Sequence, residues 1–417
     1  MKVLWIKVHM YSQSRGSSRS FSSRGSSSRG SSSRGFSSRS GSRSGVGRQK
    51  SFDPSHLVSK APEQPQVAAP VYVPTNSFAS FGLTEQLLRN ITAHGYTDPT
   101  SIQDETIPAL MANKDVIGLA NTGTGKTAAF LIPLINKIYL DKNQRVLIVA
   151  PTRELAVQIE QEFRQFATGM RLFSALCIGG TSMYQQIQRL RQHPAVVIGT
   201  PGRLADLEQQ RALDLHLFNN LVLDEVDQMV DMGFIRDVKH IVSQLPSPRQ
   251  TLFFSATLPI ELEQLTRQFL NNPIKISVKS RETSINIDQD IIKTNGRLKI
   301  DVLHEMLQLD EFSKVLVFLR TKRGTEKLAE TLDKRGLIVA SIHGNKSQNQ
   351  RQRAIDSFKS NRVRILLATD VASRGLDIDN VTHVINFDLP ESYEAYIHRI
   401  GRTGRADKKG IALTFVD

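Results

Sequence analysis

The sequence is short of several things, and each shortage excludes something. It has one cysteine in 417 residues, Cys177, so it can build neither an internal disulfide framework nor a cysteine-based zinc site, which suits a reducing compartment. No apolar run approaches the roughly 20 residues that a membrane-spanning helix needs. The opening MKVLWIKVHM has only VLWI before a lysine interrupts it, too short for a secretory signal, and Met10 offers an alternative start. The expected address is the cytoplasm. Acids are missing altogether from residues 1–50, which hold eleven lysines and arginines. Net charge is +14, so everything after residue 50 contributes only three of those charges. The basic character belongs to a tail and describes the body poorly.

That tail runs from Tyr11 to Arg48 as almost nothing but Ser, Arg and Gly, with an arginine about every five residues. It has too little apolar surface to offset the entropy of ordering, so residues 1–50 are expected to be disordered. Such a stretch is either a solubilising leader or an electrostatic tether whose arginines meet phosphates and release counterions. The even spacing and the lack of acids favour the tether. Residues 51–77, rich in Pro, Ala and Gln, read as a linker.

The chain as a whole is 39% hydrophobic and 23% charged, as in a soluble globular protein, and is too long for one core. Apolar runs bounded by polar residues mark strands: DVIGLA (115–120), RVLIVA (145–150), AVVIGT (195–200), NLVLD (220–224) and TLFFSA (251–256). Amphipathic segments such as TAAFLIPLINKIYL and ELAVQIEQEFRQFA lie between them. Strands apolar throughout, with helices intervening, indicate a parallel sheet covered on both faces. A second series follows: KVLVFLR (314–320), IVASIHG (338–344), RILLATD (364–370), HVINFD (383–388) and IALTFV (411–416). The fold class is α/β, with two parallel-sheet domains in tandem, 78–280 and 288–417, joined by a short linker at 281–287.

DVIGLANTGTGKTAAF sets strand, glycine-rich loop, Lys-Thr and helix in succession. Ala120 stands where the usual phosphate-loop pattern has glycine, and Gly123 and Gly125 supply the flexibility. Backbone N–H groups of Thr122, Gly123, Thr124 and Gly125 can close around phosphate oxygens, Lys126 adds a charge, and the Thr127 hydroxyl can ligate Mg²⁺. A glycine turn that merely precedes a helix is the bland alternative, and strand, loop, Lys and Thr together argue against it. About a hundred residues later, LVLDEVD ends an apolar run in three acids, Asp224, Glu225 and Asp227. Alone, such a cluster is more often a solvated loop. At a strand end, with a phosphate loop upstream, Asp224 can hold a phosphate-bound Mg²⁺, generally through water, and Glu225 can deprotonate an attacking water.

With ANTGTGKT, PTRELA, TPGR, DEVD and SAT in one domain, and RGLD and HRIGRTGR in the next, the chain resembles the DEAD-box RNA helicases, and within them the bacterial RhlE-like branch. The resemblance covers Phe78 to the C-terminus and implies two RecA-like domains with ATP and Mg²⁺ as cofactors. It implies that Phe78 stacks on adenine, Gln103 reads its edge, and Asp377 contacts the ribose. Catalysis would rest on Glu225, Asp224 and Lys126, with His398, Arg399, Arg402 and Arg405 supplying cations from the second domain. Arg402 and Arg405 would reach the γ-phosphate, while Asp227, Ser255, Thr257 and His398 link the acids to the domain interface. RNA contacts are implied at Pro151, Thr152, Arg153, Gly179, Gly180, Thr200, Gly202, Arg203, Gln348, Arg351 and Thr369, on the face away from ATP. These are groups that grip phosphate and sugar without reading bases. The implied partner is RNA, with ribosome-assembly or RNA-decay proteins as candidate protein partners, no membrane, and a monomeric core. An ATP-gated RNA clamp and a DNA-directed helicase are the rival readings. Val226 departs from the family's alanine, a steric change that adds no charge and is expected to be tolerated, with Asp227 contacting the hydroxyls of SAT.

Overall fold

The computed structural model describes residues 72–121, 123–278, 287–373, 378, 380–404 and 409–416. The expected tail, most of the two linkers, and the candidates Thr122, Asp377 and Arg405 lie outside these residues. All ten expected strands form, each within two residues of its expected ends. In the first domain β1 is Val116–Leu119, β2 Val146–Val149, β3 Ser174–Cys177, β4 Val196–Gly199, β5 Asn220–Leu223, β6 Gln250–Ser255 and β7 Ile274–Ser277. They lie in the order β3-β4-β2-β5-β6-β1-β7. In the second, β8 is Ile287–Lys293, β9 Val315–Leu319, β10 Val339–Ile342, β11 Ile365–Thr369, β12 His383–Asn386 and β13 Gly410–Val416, in the order β10-β11-β9-β12-β13-β8. Every pairing is parallel.

Three strands, β3, β7 and β8, have no counterpart in the sequence reading, and all three are edges. An edge strand is covered less completely, so its sequence need not be apolar throughout. SALC accordingly alternates half-buried and buried positions, and IKIS and IDQDIIK mix exposed with buried ones. β8 also takes Ile287, the last residue of the expected linker, into the second sheet, where it is 4% exposed.

Alternate residues of a strand serve opposite apolar layers, as the two-residue period requires. Ile148 and Val222 join Phe130 and Phe163 on one face of the first sheet, while Leu147, Leu221 and Leu223 join Leu204 and Val238 on the other. The helix Lys126–Leu140, expected to be amphipathic, is instead buried at eleven of its fifteen residues. It is wedged against the helices Ser101–Met111 and Arg153–Phe166, so little of it meets water. Cys177 is fully buried at the end of β3, and burial pushes its thiol up to about 12.

Candidate active site and nucleic-acid face

The loop between β1 and the helix Lys126–Leu140 is shaped by two glycines in left-handed backbone, Gly123 at φ +82° and Gly125 at φ +91°. At Gly125 a Cβ would also come within 2.5 Å of Gln103 Nε2, so both conformation and space demand glycine. The first turn of the helix Ser101–Met111 grips this loop. Thr100 Oγ1 donates to the Thr124 carbonyl at 2.9 Å, and Gln103 Nε2 donates to the Gly125 carbonyl at 3.1 Å. Gln103 Oε1 accepts from the Thr100 amide. Each end of the amide keeps one hydrogen-bonding position beyond these. Phe78 is a core ring in this structure, 5% exposed and edge-on to Phe81 and Tyr96. Thr127 is half-buried in the first turn of its helix. Lys126 beside it is buried, with no hydrogen-bond partner for Nζ.

β5 delivers Asp224 and Glu225 to the same edge, 2% and 4% exposed. The Asp224 carboxylate accepts from the Glu225 amide at 3.0 Å. Burial raises both carboxyls, with the Lys126 charge opposing; Glu225 is pushed up to about 7. The Arg402 charge, from the second domain, also opposes the rise at Glu225. Glu225 Oε2 and Ser255 Oγ are buried without partners.

The sequence reading sets Asp227 against the SAT hydroxyls; the structure pairs it with backbone instead. Its carboxylate accepts from the backbone amides of Ala256 (3.0 Å) and Thr257 (3.2 Å). β5 and β6 are neighbours, so the loops that follow them meet through backbone. Val226 is the first residue of the helix Val226–Asp231 and is fully buried beside Leu223 and Met229. Its added volume therefore goes into the core.

Of the cations in HRIGRTGR, His398 is half-buried and Arg402 is 7% exposed. Arg399 must be withdrawn from that set. It is 1% exposed, paired through Nε and Nη2 with Asp370 at 2.5 and 2.7 Å, and donates to Asn386 and to the Asp388 carbonyl. Four of its five N–H donors are thereby committed inside the second domain.

The candidate RNA contacts follow the carboxyl ends of β2, β3 and β4, and the ATP candidates those of β1, β5 and β6. Sheet order therefore places the two sets on different halves of one edge, not on opposite faces. Pro151 and Thr152 are buried, Thr152 capping its helix through the Leu155 amide. The Arg153 guanidinium lies over Gly179 and Gly180. Burial, then the neighbouring charges of Arg351 and Arg203, pulls Arg153 below its ordinary value, with Glu154 opposing. Thr200 and Gly202 are half-buried around the start of the next helix. Arg203 stands 3.9 Å from Asp206, too long for a hydrogen bond.

In the second domain Thr369, Gln348 and Arg351 are all buried. Glu154 draws the last two across the cleft, accepting from Arg351 Nη2 at 2.8 Å and Gln348 Nε2 at 3.1 Å. Sequence reasoning missed Glu154, which local pattern does not separate from a solvent-facing glutamate; only a partner 194 residues away reveals it.

Twelve buried side-chain polar atoms among the described residues have no hydrogen-bond partner, and seven of them belong to the ATP and RNA candidates of the two domains. Lys126 Nζ, Glu225 Oε2 and Ser255 Oγ mark the ATP set; Arg203 Nε and Nη1, Gln348 Oε1 and Arg351 Nε mark the RNA set. Leaving such groups unpaired costs about 1–3 kcal/mol each, so their clustering points to ligands.

Comparison with known proteins agrees with the geometry. Residues 100–265 match the DEAD/DEAH box helicase family and residues 298–407 the helicase conserved C-terminal domain. A DEAD-box ATP-dependent RNA helicase CshA from Geobacillus kaustophilus is 45% identical over 343 residues, covering 82% of this chain and 73% of its own. The chain belongs to the DEAD-box ATP-dependent RNA helicases. The CshA of Bacillus subtilis is 44% identical to the helicase, over 82% of this chain and 70% of its own. These relatives carry the CshA name and not that of the RhlE-like branch. Among solved structures, S. cerevisiae Dbp5 bound to RNA and ADP BeF3 shares 30% identity at a TM-score of 0.71, covering 82% of the helicase and 89% of Dbp5. Mss116p bound to ssRNA and AMP-PNP shares 29% at 0.72, covering 83% and 77%. No helix among the described residues of the helicase is long and apolar enough to cross a membrane.

Proposed function

We propose that this helicase is an RNA-stimulated ATPase whose two domains close over nucleotide and RNA together, strain the bound strand, and release a strand from a short duplex. The clustering of unpartnered buried polar atoms among the ATP candidates and among the RNA candidates that meet through Glu154 supports this reading more than any other observation. On the ATP side, loop amides and Lys126 grip phosphates while Gln103 and Phe78 take the base. Glu225 orients a water and accepts its proton as the water attacks the γ-phosphate. A carboxyl at about 7 is a competent base near neutral pH. Arg402, with Arg405, offers the guanidinium charge that the transferring phosphoryl group needs. Thr127 and Asp224 fit Mg²⁺, being a hydroxyl and a buried carboxylate beside the loop. When bound it would neutralise charge on the β- and γ-phosphates.

On the other side, Arg153, Arg203 and, from the second domain, Arg351 carry three positive charges against Glu154 and Asp206, an excess of one that suits a phosphate backbone. Asp227, Ser255, Thr257 and His398 pass the state of the acids to the domain interface. Because both ligands prefer the closed arrangement, each should tighten the other. We further propose a cytoplasmic, monomeric enzyme of the RhlE-like branch, aided by its basic tail and acting with ribosome-assembly or RNA-decay proteins. The deciding experiment is ATP turnover with and without RNA, alongside Glu225→Gln. RNA should raise turnover at least about tenfold, and the substitution should cut kcat by roughly 10²–10⁴ while ATP still binds. Equal turnover with and without RNA would sink the proposal.

A further inference from the structure

The residues just ahead of Phe78 are held by one carboxylate. Asp104, in the first turn of the helix Ser101–Met111, is 4% exposed. Its Oδ2 accepts from Tyr72 Oη at 2.5 Å and the Thr75 amide at 2.7 Å. Its Oδ1 accepts from the Asn76 amide at 3.1 Å and Asn76 Nδ2 at 2.8 Å. A buried carboxylate is costly unless its lone pairs are met, and here four donors from a five-residue stretch of the expected linker meet them. The stretch is thereby clasped to the helix, and it runs straight into the turn that carries Phe78. On its other side the same helical turn grips the phosphate loop, through Thr100 to Thr124 and Gln103 to Gly125. One turn of helix thus joins the segment delivering Phe78 to the loop expected to hold phosphates.

We propose that Asp104 is a positioning residue for the nucleotide base: by clasping residues 72–76 it keeps Phe78 in register with Gln103, and so sets the affinity and base preference of the ATP site. The inference rests on the nucleotide-site reading above. Asparagine at 104 preserves volume but turns one acceptor into a donor that faces donors, and removes the charge that strengthens the remaining bonds. Tyr72→Phe removes a single donor from a side chain 45% exposed, and so leaves the fold intact.

The test is steady-state hydrolysis of ATP and GTP by the full chain at saturating RNA, for the unaltered protein, Asp104→Asn and Tyr72→Phe. Asp104→Asn should raise the KM for ATP about tenfold with kcat held within about twofold, and shrink the ATP-over-GTP preference at least about fivefold. Tyr72→Phe should move both quantities the same way by about two- to threefold. A merely structural clasp would lower the melting temperature and leave base preference alone. Unchanged KM and preference in both variants overturns the inference, and Tyr72→Phe alone decides it should Asp104→Asn fail to fold. An unaltered protein that never saturates with ATP overturns the nucleotide reading and this inference together; one that saturates, with variants that match it, overturns this inference alone.

Discussion

Glu225 occupies left-handed backbone at φ +51°, a conformation that costs a non-glycine residue roughly 1–2 kcal/mol. The strain sits at the residue whose carboxyl is unpartnered and buried beside Lys126. Its neighbour Val226 has the opposite character. It is fully buried and packs in the apolar layer that includes Leu223 and Met229. Val226→Ala should therefore cost about 2 kcal/mol, two methyl groups plus a small cavity, while turnover changes less than about threefold. Urea denaturation and ATPase assays on the same preparation check both halves. A hundredfold gain in turnover would show that the valine had been holding the acids out of place. The three acids were legible because their spacing at a strand end is local. The backbone state of Glu225 and the amides that Asp227 holds depend on β5 lying beside β6, and no local pattern states which strands are neighbours.

Nine of the ten strands that sequence exposes are covered ones, whose apolar runs are continuous, with edge β10 the tenth; β3, β7 and β8 hide because an edge tolerates polar residues. The same rule made Arg399 misleading. An arginine among other basic residues looks solvent-facing, yet this one is sealed against Asp370, Asn386 and the Phe318 ring. β12 opens with a second buried group, His383, stacked on Phe312 at 4.2 Å. Burial lowers its pKa from 6.5 to about 4. The folded state therefore binds this proton more weakly than the unfolded chain does. The stability it contributes is whole above pH 6.5 and is lost as pH falls through about 4, on the order of 3 kcal/mol in all. Urea midpoints measured from pH 7 to 4.5 should fall less steeply for His383→Gln than for the unaltered chain. Parallel slopes would place the acid sensitivity elsewhere.

Across the whole molecule, Glu154 joins the candidate RNA contacts of the two domains, accepting from Gln348 and Arg351 while 3% exposed. Replacing one partner of a buried pair costs about 3–5 kcal/mol because the other is left uncompensated. Glu154→Gln should accordingly lower RNA-stimulated turnover at least about tenfold and leave the RNA-free rate nearly unchanged. The ratio of the two rates is the measurement, and an unaltered ratio would show that closure does not depend on this contact. Such closure can also be watched directly, thanks to Cys177. The chain's sole thiol is sealed in the first sheet and held far from the thiolate form, so maleimides should pass it by. Cysteines placed at exposed Leu140 and Ile338, one in each domain, would take a fluorescent pair without first stripping the native residue. Nature has left this motor ready for two-colour distance measurements.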